Sequence, residues 1–350
     1  MTHARPDHTT ARLEAAHAAH DWPLLIRLCR QALRKNPRQL KALRLLGFAL
    51  TTNGENDAAL VAFKKAAALM PNDAELLINY ANLLLQLGGN HEALPILDKV
   101  ASLRPDHSTV WSRLAQCCYL LTLHQKGFDA SQRALATAKD NNQRADALMQ
   151  SATHRRELGQ VREAIADTLE TISLFPDAPY SYTNGLLFML ADPNCPIENI
   201  AGLARQYEAR FGAPLHKEWP NFSDLDRQPW RRLRVGFVSP DFRNHAVMYF
   251  AEGMLAQLDR SDFEVVAFSL FPTEDYVTTR VRCHVDRFIP LHGLTPSQQA
   301  NAIRTAGIDI VVDLAGHTGS NALLALARKP APIQITTIGY PGTTGLAAMD

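Results

Sequence analysis

Three prolines, Pro37, Pro71 and Pro105, follow one another at intervals of 34 residues. They bound the segments "RQLKALRLLGFALTTNGENDAALVAFKKAAALMP" and "NDAELLINYANLLLQLGGNHEALPILDKVASLRP". Gly54 and Gly88 each precede the closing proline by 17 residues, and Ala59 and Ala93 follow those glycines by five. Farther along, "RRELGQVREAIADTLETISLFP" repeats the spacing with Gly159, Ala164 and Pro176 in step. A chain with this period cannot close around one core. Each unit must be a helix–turn–helix that buries its apolar face by stacking on its neighbours, with small residues where two helices approach closely.

The period and its small residues match the tetratricopeptide repeat (TPR). Two weaker units flank the clear ones. Residues 11–36 read as a shortened first repeat, with Asp21 and Trp22 near the expected turn. Residues 106–140 keep the helical period but carry Thr122 in the turn-glycine position and Gly127 in the alanine position. The expectation is an α-helical TPR solenoid of four to five repeats over about residues 10–178, whose concave face grips extended polypeptide. Asn79 and Asn82 lie three apart on the first helix of their repeat, so both amides can point to one side and bond a peptide backbone. The plainer alternative is that both are solvated helix residues. Their counterparts are Leu45 and Phe48, then Arg113 and Gln116, so no continuous asparagine ladder exists. The repeat histidines His91, His124 and His154 are expected at the surface.

Beyond residue 178 the pattern stays helical, with breaks at Pro193 and Pro196, and then loses its period in "HKEWPNFSDLDRQPWRR". That stretch reads as a linker. It contains Asp224-Leu225-Asp226, a D-x-D of the kind that can hold a metal on a nucleotide sugar. Such a motif belongs at the end of a buried strand, and no apolar strand precedes it here, so no metal site is assigned. The expected domains are a repeat solenoid over 1–178, a helical cap and linker over 179–229, and an α/β lobe over 230–350.

From Leu233 strands alternate with helices: "LRVGFVS", "FEVVAFSL", "RFIPL", "IDIVVDL" and "PIQITTIGY" read as strands, and Thr295 or Ser297 caps a helix between the third and fourth. This alternation predicts a parallel sheet with right-handed crossovers. Ligands bind such sheets at the carboxyl ends of the strands. Three strands here end in the polar or glycine-bearing loops "SPDFRNH", "AGHTGS" and "GYPGTTG". A parallel sheet sets all three along one edge and gathers His245, Asp313, His317, Thr318, Gly342, Thr343 and Thr344, with glycines that admit close backbone approach. Against this stand ordinary roles: capping or core histidines, an aspartate that caps the next turn or holds His317 in one tautomer, and threonines that form turns.

The formal net charge of +1 gives no long-range field to attract nucleic acid or an anionic membrane. No window reaches the apolar length needed to span a bilayer. The polar start "MTHARPDHTT" lacks a secretion signal. The five cysteines, Cys29, Cys117, Cys118, Cys195 and Cys283, show no C-x-x-C pairing and are expected as reduced thiols of a cytoplasmic protein.

A repeat array feeding an α/β region with "RVGFVSPDFRNH", "DIVVDLAGHTGSN" and "RKPAPIQITTIGYPGTTGLAAMD" closely resembles the TPR-containing protein O-GlcNAc transferases, and among them the bacterial SPINDLY-like branch. The resemblance covers about residues 180–350. It implies a GT-B glycosyltransferase in which 230–350 form the first, incomplete Rossmann-like lobe. Its implied reaction is inverting, metal-independent transfer of N-acetylglucosamine from UDP-GlcNAc to Ser or Thr hydroxyls of proteins presented by the repeats, with no cofactor. By the same resemblance His245, of the "DF-x-x-H" loop, is the active-site histidine. His317 and Thr318 of "GHT" and the "PGTTG" loop would line the cleft. The proton acceptor stays open among His245, His317 and a donor phosphate oxygen. The second lobe, which in the family grips the nucleotide, is not within this sequence, so this chain alone is expected to be poorly active or inactive. The same wording resembles plant SPINDLY proteins that transfer fucose from GDP-fucose. A non-catalytic TPR scaffold is the remaining alternative.

Overall fold

The computed structural model describes residues 8–223 and 225–350. The chain divides into two compact units, between Gln160 and Val161. The first consists of antiparallel helix pairs: α1 (His8–Ala18) with α2 (Trp22–Lys35), α3 (Leu40–Thr52) with α4 (Asn56–Leu69), α5 (Ala74–Gln86) with α6 (Asn90–Leu103), and α7 (Ser108–Leu120) with α8 (His124–Thr137). Helix α9 (Asn141–Glu157) follows them. Ala42, Leu43, Leu46, Ala49 and Leu50 form the buried stripe of α3, the spacing of a helix packed along one face. Ala59 and Ala93 are completely buried where second helices meet first ones.

The turn position carries the conformation that its glycines imply. Gly54, Gly88 and Gly159 have φ of +80°, +79° and +78°. Thr122 takes the same left-handed backbone, with φ of +57°, although a β-branched residue is strained there. Gly127 has an equally specific reason for replacing alanine. A Cβ built on it would lie 2.1 Å from the ring of His154. His154 is therefore not the surface residue expected: it is completely buried, and its Nε2 lies 3.0 Å from the Ala115 carbonyl oxygen. Burial pushes its pKa down. His91 is exposed and His124 half-buried.

The second unit opens with α10 (Val161–Leu174), α11 (Pro179–Ala191) and α12 (Ile197–Tyr207), which runs into a π-turn at Glu208–Gly212 and a 3-10 turn at Ala213–Glu218. The sheet then assembles from β1 (Leu233–Ser239), β2 (Phe263–Ser269), β3 (Arg287–Pro290), β4 (Ile310–Asp313) and β5 (Ile333–Thr336). All pairings are parallel and the order is β3-β2-β1-β4-β5. Helices α13 (Met248–Gln257), α14 (Tyr276–Cys283), α15 (Pro296–Thr305) and α16 (Leu323–Leu326) make the crossovers. Thr295 caps α15 in a reciprocal capping box with Gln298. Sequence reading did not anticipate α14, which starts at the Asp275 cap.

Strand β5 is shorter than its apolar run. The Thr337 N–H still reaches the Asp313 carbonyl oxygen at 2.9 Å, but Ile338 turns to φ of +69° and Gly339 lies so close to the Leu314 carbonyl that a Cβ would clash at 2.0 Å. The chain leaves the sheet there. Of the D-x-D, Asp224 lies outside the described residues. Asp226 Oδ1 accepts the Gln228 N–H at 3.0 Å in a local turn. All five cysteines are free thiols, and burial pushes Cys29 up to about 12. Among the described residues no helix is long and apolar enough to cross a membrane.

Candidate functional site

Strand order reverses direction at β1, whose neighbours are β2 on one side and β4 on the other. A crevice opens at the carboxyl ends of such a pair, because the connections leave in opposite directions. Val238 pairs with Asp313 and Asp313 with Thr336, so the loops after β1, β4 and β5 start side by side. The gathering of three loops at one edge holds.

The loop after β1 is short and fixed. Ser239 Oγ accepts the Asp241 N–H at 2.9 Å. Thr278 Oγ1 donates to the Phe242 carbonyl at 2.6 Å, and the Asn244 N–H donates to Asp275 Oδ2 at 2.6 Å. These two bonds clamp the loop to the first turn of α14. At its end stands His245, whose side chain is 40% exposed. Its Nδ1 accepts the Val247 N–H at 3.3 Å and lies 3.6 Å from Asp241 Oδ2. Burial pushes the Asp241 carboxyl up, while His245 and Arg243 beside it pull the other way. Arg243 also lies over the Phe271 ring, 4.2 Å from its centroid. Asp241 is not among the residues the loop sequence singles out, although the spacing Asp-x-x-x-His is legible. Its role appears only when the loop folds the carboxylate back under the ring. A small recess of about 50 Å³ beside His245 is walled by Met248, Tyr249, Tyr276 and the Glu252–Arg280 ion pair.

The loop after β4 is organised by Asp313. Its carboxylate, completely buried, accepts the N–H groups of Ala315 (3.1 Å) and Gly316 (2.8 Å) and the hydroxyl of Thr336 (2.9 Å). Burial pushes its pKa up, against those three donors. Asp313 therefore caps the turn and does not touch His317. Thr318 Oγ1 donates to the Ala315 carbonyl at 3.0 Å.

His317 is completely buried and both its ring nitrogens are engaged. Nε2 lies 2.9 Å from the Thr344 carbonyl oxygen and Nδ1 lies 3.1 Å from Thr183 Oγ1. A carbonyl only accepts, so Nε2 carries the proton and Nδ1 receives the Thr183 hydroxyl. The ring packs edge-on against Tyr207 (4.8 Å between centroids) and Tyr340 (5.4 Å). Burial pushes its pKa down to about 4, with the Thr344 carbonyl opposing.

That bond ties the loop after β4 to the loop after β5, and the helical segment backs both. Gly342 sits against Leu190 and Gly345 against the Ala204 backbone, and Glu208 Oε2 accepts the Ala347 N–H at 3.2 Å. Thr344 is buried, with Thr343 exposed beside it and Gly342 half-buried. Thr183, Tyr207 and Glu208 were not legible as site residues, since the Thr183–His317 contact spans 134 residues of sequence. Within unit one, Asn79 lines a groove on the first helices of the repeats together with Leu45 and Phe48, while Asn82 is exposed and does not line it. Arg113 and Gln116 bond each other at 2.9 Å.

The family model of glycosyl transferase family 41 matches residues 212–350, and a tetratricopeptide repeat model matches 50–116. Residues 212–350 of this chain are thus similar to glycosyl transferase family 41, and they follow tetratricopeptide repeats. The probable UDP-N-acetylglucosamine–peptide N-acetylglucosaminyltransferase SPINDLY of Solanum lycopersicum is 38% identical over 152 residues, 41% of this chain and 16% of that protein. The probable enzyme SEC of Arabidopsis thaliana is 28% identical over 165 residues, 44% of this chain and 17% of its own length. A mutant of the Thermobaculum terrenum O-GlcNAc transferase has a solved structure that superposes with a TM-score of 0.59 at 27% identity. That match covers 89% of this chain and 52% of the other. The chain thus spans less than a fifth of the curated relatives it matches.

Proposed function

We propose that this chain supplies the repeat array and the acceptor-side lobe of a protein O-glycosyltransferase that moves N-acetylglucosamine from UDP-GlcNAc to a Ser or Thr hydroxyl. The observation that carries the reading is the Asp241–His245 pair at the carboxyl end of β1, beside the point where the strand order reverses. A histidine with one nitrogen near a buried carboxylate and the other without a hydrogen bond among the described residues is placed to take a proton.

In the proposed step the acceptor oxygen attacks the anomeric carbon as the bond to the diphosphate oxygen breaks and that oxygen keeps the electron pair. The configuration inverts. In the structure His245 Nδ1 accepts the Val247 N–H, so the ring first shifts to the tautomer with Nδ1–H turned to Asp241; the acceptor proton then passes to Nε2 and Asp241 stabilises the imidazolium. The Nδ1–carboxylate separation of 3.6 Å is long for a hydrogen bond and shortens when the ring is charged. His317 takes a different part from the catalytic one expected of it. With both nitrogens engaged and no exposure, it is a positioning residue that holds the "PGTTG" loop through the buried Thr344, leaving Gly342 and Thr343 to face the donor sugar.

The test uses the full-length protein, an acceptor peptide and both UDP-GlcNAc and GDP-fucose, with product identified by mass. UDP-GlcNAc is the expected donor. His245→Ala is expected to lower kcat by at least about 10²-fold, the usual scale of a positioned proton acceptor. Transfer at near wild-type rate would falsify the assignment of His245, and fucose as the added sugar would replace the donor.

A further inference from the structure

The groove in the first unit has an uneven make-up. It encloses about 460 Å³ and is lined only from first helices: Glu14 and His17 on α1, Lys41, Arg44, Leu45 and Phe48 on α3, and Glu75 and Asn79 on α5. Its floor is apolar, with Leu45 beneath and the His17 ring edge-on to Phe48 at 5.6 Å. These are the positions at which a backbone-reading array would carry amides. Only Asn79 supplies one within the groove, and among the described residues its side chain makes no hydrogen bond.

The rim is charged in a fixed order. Lys41 pairs with Glu14, and Arg44 pairs with Glu75 at 3.0 Å. Arg44 also lies 3.8 Å from the less exposed Asp73 (24%), but in the Lys41–Glu14 and Arg44–Glu75 pairs the acid is the outer partner: Glu14 and Glu75 are 60% and 71% exposed, against 33% for Lys41 and 34% for Arg44. Two carboxylates therefore flank the apolar floor on its solvent side. Packed helices lie about 8–10 Å apart, and an extended chain advances about 3.3 Å per residue, so a peptide crossing α1, α3 and α5 places roughly every third residue over a new helix.

We infer that the first three repeats select side chains as well as backbone: they take an extended polypeptide with an apolar, best aromatic, residue flanked by basic residues three positions to either side. The aromatic group covers Leu45 and Phe48, the cations meet Glu14 and Glu75, and the Asn79 amide holds the intervening backbone. The inference rests on the reading that the repeats present a protein substrate, but its readout is binding alone. It can therefore fail while transfer succeeds, and the reverse.

The experiment is fluorescence anisotropy with the whole chain and the labelled peptide Gly-Lys-Ser-Gly-Phe-Ser-Gly-Lys-Gly. Replacing its Phe by Ser, or both Lys by Glu, is expected to weaken binding by at least about tenfold. Asn79→Ala should weaken it severalfold with an unchanged circular dichroism spectrum. The double change Glu14→Lys and Glu75→Lys should reverse the preference between Lys and Glu peptides, a result that unfolding cannot imitate. Equal affinity for the three peptides, or no saturable binding of the parent peptide up to about 1 mM, overturns the inference.

Discussion

Acid should loosen the second unit through His317. The ring is completely buried, and its pKa falls from an ordinary 6.5 to about 4. The folded state thus binds fewer protons than the unfolded state between those values, and stability falls as pH falls through that window. Above pH 6.5 the full contribution is present; below about 4 it is gone. The whole gap corresponds to about 3 kcal/mol, of which about 2 kcal/mol is already lost at pH 5. The cause is desolvation: the Thr183 hydroxyl can turn to accept from a protonated Nδ1, but no solvent reaches the charge. Urea unfolding of wild type and His317→Gln at pH 7.5 and pH 5 measures this. Fluorescence of Trp219, whose indole N–H donates to the Ala327 carbonyl at 2.8 Å, reports on this unit. His154 and the carboxylates titrate in both proteins and cancel in the difference. Wild type should lose about 2 kcal/mol more than the variant between the two pH values. If both lose the same amount, His317 is not the buried neutral imidazole described.

Other perturbations test separate links. Thr122→Gly, by relieving the left-handed backbone at a β-branched residue, should stabilise the first unit by about 1 kcal/mol, seen as a rise in melting temperature. Gly127→Ala should destabilise by about 1–2 kcal/mol, since the clash with His154 outweighs the gain in helix propensity. In a His154→Ala background the same change should turn stabilising, and additivity of the two would refute their contact. In the full-length protein Asp241→Asn should lower kcat by about 10²-fold while leaving KM for the acceptor nearly unchanged, because the carboxylate acts through His245. A change confined to KM would point to acceptor binding instead.

Much of the architecture is legible because its signals are local. The 34-residue period, the turn glycines and Ala59 and Ala93 report which faces are buried and where helices touch, whatever lies elsewhere in the chain. The apolar runs at 233–239 and 310–313 report a buried parallel sheet, and parallelism alone sends the loops bearing His245, His317 and Thr344 to one edge. What local pattern cannot report is which polar side chain at that edge faces solvent. His245 and His317 both stand shortly after a strand in polar loops. One remains 40% exposed over Asp241, and the other is sealed by Thr183, Tyr207 and Tyr340. The same holds for His154, whose place was set aside by a missing methyl on Gly127. Sequence by itself determined the elements, their order and the edge where chemistry can gather. Tertiary structure decided which groups there hold a proton open to a ligand and which hold the loops. That choice depends on packing partners distant in the chain, Thr183 and Tyr207 each lying more than a hundred residues from His317, and on the desolvation they impose.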